Sequence, residues 1–259
     1  MAIAGEKSVD DKINALVSAI AAGLTSQVQQ TLPKIQGLPL QVLALRRYLR
    51  IGYSATEKWA WTEQQYAEFN LSYAAVELRR SIEAVKAKFE RDNPGHTLKT
   101  AAKFRPLDRQ IHNFCASAKV QNAAVLLGKA VLTEIDSYAD EIDDRAVRKF
   151  REFLRSYQFS KHDEPSVAVP GTSDHGRAQA IDFVIYRGGK EIAGPSTAQI
   201  KPIWTGQGYG EKLNQAVRGS ANLFKRDHLQ VPFEPWHYDM RMDKAPGRWS
   251  GELTFKSLG

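Results

Sequence analysis

Apolar residues recur at three- and four-residue spacing through most of the first 157 residues, and that rhythm gives way near residue 160 to polar, proline-bearing chain and then to alternation. A chain patterned in this way builds helices early and at least one strand late. Ile13, Leu16, Val17, Ile20 and Leu24 predict an amphipathic helix that ends at Gly23 and Thr25-Ser26. Further helical patterns run through Leu38–Leu49 and Trp59–Phe69. A longer one carries Ala75, Leu78, Ile82, Val85 and Phe89 and stops at Asp92-Asn93-Pro94-Gly95.

Beyond that turn, His96–Phe104 reads as a short strand, closed by Arg105-Pro106 ahead of a helix bearing Leu107, Ile111 and Phe114. Residues 121–157 return to helical periodicity, with Val125, Leu126 and Leu127, then Val147, Phe150, Phe153 and Leu154 on recurrent faces. Lys161–Gly171 is polar, contains Pro165 and Pro170, and reads as a loop. Ala180–Tyr186 reads as a strand ended by Gly188-Gly189, with Ile181, Phe183 and Ile185 on one face and Asp182 on the other. A helix over 210–224, from Leu213, Val217, Ala221 and Phe224, and a strand over Trp236–Met242 complete the pattern. No internal repeat or low-complexity tract interrupts it. The expected fold is α+β, with a helical N-terminal module over residues 1–72 and a mixed domain over residues 73–259.

Composition narrows the functional classes. With 42% hydrophobic residues the chain can bury one or two cores, and it has no apolar run of the roughly 20 residues that a membrane helix needs. The single cysteine, Cys115, has no internal disulfide partner and reads as a small hydrophobe on an apolar helical face. A metal site would therefore be built from His and carboxylate. The formal charge of +7 favours anionic partners such as cell-wall polymer, acidic lipid or nucleic acid. Residues 1–24 show no signal-peptide pattern, which is the expectation of a protein made in the cytoplasm that reaches any wall or periplasmic substrate by release or delivery.

Two of the six histidines stand beside acids in segments that are not helical: Ser173-Asp174-His175 running up to Asp182, and Glu234-Pro235-Trp236-His237. Two His and one Asp make a legitimate three-ligand zinc set that leaves a fourth tetrahedral position. His175 and Asp182 are seven residues apart, a spacing that needs a loop feeding a strand, and this segment supplies both. Glu234 and His237 would oppose each other on a regular strand, but Pro235 can bend the chain and turn both toward one pocket.

Val169-Pro170-Gly171-Thr172-Ser173-Asp174-His175 with Ala180-Ile181-Asp182, followed by Glu234-Pro235-Trp236-His237, resembles the zinc D-alanyl-D-alanine carboxypeptidase and peptidoglycan endopeptidase family, which carries S-x-H-x-x-G-x-A-x-D and E-x-W-H motifs. The likeness extends upstream to the helix at 75–91, the strand at 96–104 and Phe104-Arg105-Pro106 with Gln110, so it covers roughly residues 75–243. It implies a small antiparallel-sheet zinc peptidase domain with helical insertions. It further implies that His175, Asp182 and His237 bind Zn²⁺, that Glu234 is the general base, that Arg105 meets substrate or developing charge, and that Ser173 supports substrate. Trp236 would pack behind His237. Two features depart from the family pattern: Ala178 replaces its glycine, and long helical segments fill the interval between Arg105 and His175.

The remaining histidines, His96, His112, His162 and His228, read as surface or helix-end residues, Lys161-His162-Asp163-Glu164 as a solvated loop, and Gly206-x-Gly208-x-Gly210 as a loop without a dinucleotide fingerprint. The expected activity is hydrolysis of a peptide bond in peptidoglycan peptide stems by a zinc-dependent carboxypeptidase or endopeptidase, as a phage lysis enzyme or a secreted effector. Residues 1–72 would anchor to the wall, act as a lid or dock a delivery partner. A non-catalytic wall-binding or protein-interaction module that keeps the fold is the alternative. Nucleic-acid binding is a further one, motivated by charge alone.

Overall fold

The computed structural model describes residues 8–52, 59–101, 104–139, 141–165, 167–220, 222–230 and 232–241. In chain order its main elements are α1 (Val9–Ala22), α2 (Ser26–Thr31), α3 (Leu38–Ile51), α4 (Glu63–Leu71), α5 (Tyr73–Asp92), β1 (His96–Thr100), α6 (Leu107–Ala116), α7 (Ala118–Ile135), α8 (Asp144–Ser156), β2 (Ala180–Arg187), β3 (Lys190–Ala193), α9 (Tyr209–Arg218) and β4 (His237–Asp239). The fold is α+β, with a small antiparallel sheet of four strands. No helix of the described residues is long and apolar enough to cross a membrane.

The chain divides into two compact units, one of residues 1–60 with 106–176 and the other of residues 61–105 with 177–259. Each is thus assembled from two separate stretches, whereas the sequence reading divides the chain once, after residue 72. The cause lies in the core of the first unit. Leu16, Ile20, Leu43 and Leu45 from α1 and α3 share a single buried cluster with Phe114, Leu127, Phe150 and Leu154 from α6, α7 and α8.

Local chemistry sets most helix ends. Ser8 and Asp11 cap α1 reciprocally, the Ser8 hydroxyl accepting from Asp11 N–H and the Asp11 carboxylate from Ser8 N–H. Thr62 and Gln65 do the same for α4, so that helix begins at Glu63 and not at Trp59 as expected. In α7 the buried stripe is Val120, Ala124, Leu127, Val131 and Ile135. Val125 and Leu126, expected on recurrent faces with Leu127, lie off that stripe and are 56% and 38% exposed. Their positions fall roughly 100° to either side of a buried neighbour.

In the second unit α5 presents Leu78, Ile82, Val85 and Phe89 to a cluster that also takes Ile181, Phe183 and Ile185 from β2 and Tyr238 from β4. Strand β2 is central: it pairs antiparallel with β1, β3 and β4. Its N-terminal end meets β4 in the register Ala180↔Asp239, Ile181↔Tyr238 and Asp182↔His237. On the other side the Asp182 carbonyl accepts from Ala101 N–H at 2.8 Å. The alternation expected for Ile181, Phe183 and Ile185 against Asp182 is what the sheet shows, with the three apolar side chains in the core.

Several expected elements are shorter. The strand of 96–104 ends at Thr100, with residues 102 and 103 outside the described residues. The final strand spans His237–Asp239, and Met242 lies outside the described residues. Helix α9 stops at Arg218, Ala221 is outside the described residues, and Phe224 instead forms an isolated bridge to Met240. The glycines at 206 and 210 are packing positions: a Cβ would lie 2.8 Å from Pro202 O at Gly206 and 3.2 Å from Pro235 Cβ at Gly210.

Candidate metal centre

His175 belongs to a single 3₁₀ turn, Asp174–Arg177, that runs directly toward β2. The loop before it is pinned by polar contacts. Tyr48 Oη donates to Pro170 O at 2.7 Å, Gln110 Oε1 accepts from Gly171 N–H at 2.9 Å, and Ala60 N–H donates to Gly171 O at 2.7 Å. Arg47 from α3 donates to Val167 O, and the fully buried Arg46 donates to Tyr157 O at 2.8 Å and pairs with Glu164 at 3.4 Å. The described residues of 161–171 are a loop as expected, yet Glu164 is tied into the unit by this ion pair rather than simply solvated. Gly171 sits at φ +90 with the Trp59 ring 2.6 Å from where a Cβ would be, so the turn admits no side chain there.

Asp182 and His237 reach the same place by a different route. They are cross-strand partners in the β2–β4 ladder, and their side chains share one face. The turn that precedes β4 is closed by Glu234 N–H to Leu229 O at 2.9 Å, His237 N–H to Glu234 O at 3.0 Å and Phe183 N–H to Trp236 O at 2.9 Å. That turn brings Glu234 to the same face as His237, with Oε2 3.9 Å from Nδ1. Trp236 packs on Trp204, ring centroids 5.9 Å apart, consistent with a packing role.

One donor atom from each of His175, Asp182 and His237 lies within 4.8 Å of the others, and all three residues are buried. The His237 Nδ1 and Asp182 Oδ1 atoms are 3.0 Å apart. Arg105 Nη2 stands 3.5 Å from Asp182 Oδ2 and keeps 30% of its side chain exposed. Ser173 is partly buried, and its carbonyl accepts Gly176 N–H at 2.8 Å, a role within the turn. This group can hold a metal ion. Two imidazoles and one carboxylate, converging in a buried position, are the ligand types that first-row divalent ions take, zinc among them.

The electrostatics are dominated by carboxylates. Burial alone would push the His237 imidazole down, but hydrogen bonds to Asp182 and Asp239 and their charges outweigh it and hold the ring up to about 9. Asp239 feels the same pairing: burial would raise it, but hydrogen bonds with His237 and Lys225 hold it down to about 2. Glu234 is raised, chiefly by burial.

Ala178 stands at the position where the resembled motif carries glycine. Its backbone is left-handed, at φ +51, and the residue is buried. The site therefore uses a conformation that favours glycine, and this chain accommodates alanine in it.

Asp239 carries no motif that marks it in the sequence. It follows His237 by two residues, and strand alternation alone would have put both on one face. His228, expected at a surface, is instead packed between Phe233 and Tyr238, centroids 5.1 and 6.3 Å away, with both ring nitrogens buried. Comparison of the chain with protein-family models, curated proteins and solved structures finds no match.

Proposed function

We propose that this chain is a zinc-dependent peptidase that hydrolyses a peptide bond in bacterial cell-wall peptidoglycan, as a carboxypeptidase or an endopeptidase. The observation that supports the reading is the buried convergence of His175, Asp182 and His237 with the Glu234 carboxylate beside it. The substrate class rests on the S-x-H-x-x-G-x-A-x-D and E-x-W-H resemblance, and the charge of +7 suits an anionic wall.

When bound, zinc lowers the pKa of water toward about 7 and polarises the scissile carbonyl. In this reading Glu234 takes the proton of the attacking water on a carboxylate oxygen and returns it to the leaving amine. Its raised affinity for protons suits both halves of that transfer. Arg105, beside Asp182 and 30% exposed, turns its guanidinium to a stem-peptide carboxylate or the developing oxyanion. Ser173 adds a hydroxyl at the substrate side of the turn.

The test is mass spectrometry of purified muropeptides incubated with the protein, with and without chelator. Loss of a terminal alanine or release of a cross-link, abolished by chelator, is the expected result. Glu234→Ala should keep its zinc while the rate falls roughly 10²–10⁴-fold. A wild-type protein that holds zinc, binds wall fragments and leaves every mass unchanged would be a non-catalytic wall-binding module instead.

A further inference from the structure

The His237 ring is held at both nitrogens. On one side Nδ1 faces Asp182 Oδ1 at 3.0 Å, and on the other Nε2 faces Asp239 Oδ1 at 3.0 Å. The second contact is itself anchored, because Lys225 Nζ donates to Asp239 Oδ2 at 2.8 Å. The backbone repeats the tie, with Lys225 N–H donating to Asp239 O at 2.8 Å. Opposite Asp239 in the ladder stands Ala180, whose methyl leaves the carboxylate room to turn toward the imidazole.

We propose that Asp239 is a positioning residue for metal binding: it accepts the Nε2 hydrogen of His237, so that Nδ1 is the nitrogen presented on the Asp182 side, and Lys225 keeps that acceptor in place. The inference rests on the metal-site reading and deepens it. A neutral imidazole carries one hydrogen, and the nitrogen that bears it cannot ligate. A carboxylate on the distal nitrogen decides which one that is, orients the ring and raises the basicity of the ligating atom. Asp182 cannot do this, since it lies on the ligating side. The Asp239 side chain is 17% exposed and that of Lys225 59%, so the relay runs from solvent inward to the buried ring.

The experiment uses the full chain with Zn²⁺ as the probe. Zinc affinity is measured by competition with a chromophoric chelator, and the His237 ring is followed by long-range proton–nitrogen NMR on histidine-labelled protein. Wild type should show Nδ1 metallated and Nε2 protonated. Asp239→Ala should lose about 10–100-fold in zinc affinity and lose the uniform Nε2–H signature. Asp239→Asn, close to isosteric, should fall between the two, and Lys225→Met should show a smaller loss than Asp239→Ala. Thermal unfolding in chelator separates these effects from a general loss of stability, which would leave the nitrogen assignment unmoved. Wild-type affinity with Nδ1 ligation in both Asp239 variants overturns the positioning role alone. A wild-type chain without affinity for zinc overturns the metal reading, and the positioning role with it.

Discussion

Asp182 and His237 face each other across the β2–β4 ladder with Oδ1 and Nδ1 3.0 Å apart, so the contact that joins two proposed ligands is written into strand register. Their side chains are 8% and 9% exposed. A charged pair this buried is costly to break from one side, because the surviving group stays desolvated without its counter-charge. Asp182→Ala should therefore lower stability in chelator by about 3 kcal/mol or more, read by urea unfolding near pH 6, and should remove high-affinity zinc binding. Unchanged stability and affinity would show that the pair does neither job.

The same pairing gives the metal-free protein a defined pH response. His237 is held at about 9 against an ordinary 6.5, so its contribution is complete below 6.5 and is lost as pH rises through about 9. Asp239 is held at about 2 against 3.8, so its contribution is present above 3.8 and is lost as pH falls through about 2. The two describe one cluster and count once, on the order of 3 kcal/mol. Unfolding free energies in chelator across this range, compared with His237→Gln, check it: the variant should lack the alkaline loss. Zinc binding displaces the Nδ1 proton, so apparent affinity should climb as pH rises toward about 9.

Ala178 offers a third test. Its φ of +51 costs an alanine about 1–2 kcal/mol. Ala178→Gly relieves that strain but gives up a buried methyl and adds unfolded-state freedom, so it should change stability by less than about 1 kcal/mol. Ala178→Val, with a branched Cβ in the same conformation, should destabilise by more than about 2 kcal/mol. Equal unfolding midpoints for alanine and valine would argue against a left-handed residue here.

His228 makes the fourth. Its two ring nitrogens are buried and neither finds a hydrogen-bond partner among the described residues. Burial pushes its pKa down, so protonation favours the unfolded chain and stability falls as pH drops below about 6.5. His228→Phe should stabilise by about 1 kcal/mol at neutral pH, with a larger gain at pH 5. Thermal melts at the two pH values decide the matter, and a destabilised variant would mean that the imidazole has a polar role.

How much of this could be read beforehand depended on the range of the interactions. Helices α1, α3 and α5 were legible because Ile13, Leu43 or Val85 declare a buried face within a few residues of chain. The split between Ile181-type and Asp182-type positions in β2 was legible for the same reason. Three other features depend on distant partners. Leu16 and Phe150 share a core although 134 positions separate them in number, and nothing local to either says so. Val125 and Leu127 look alike in sequence and differ in which side of α7 meets that core. Residues His175, Asp182 and His237 stood out through motif context, while Asp239, carrying no motif, needed the register of β4 to acquire meaning.

Strand β2 turns Ile181, Phe183 and Ile185 into the core on one face and Asp182 toward His237 on the other. Displacing it by one position would turn Asp182 into the apolar cluster, away from His237, and swing Ile181 onto the ligand face, ruining both faces at once. A molecule in that shifted register would lose its core packing and the Asp182–His237 pair together, so the two cannot fail separately.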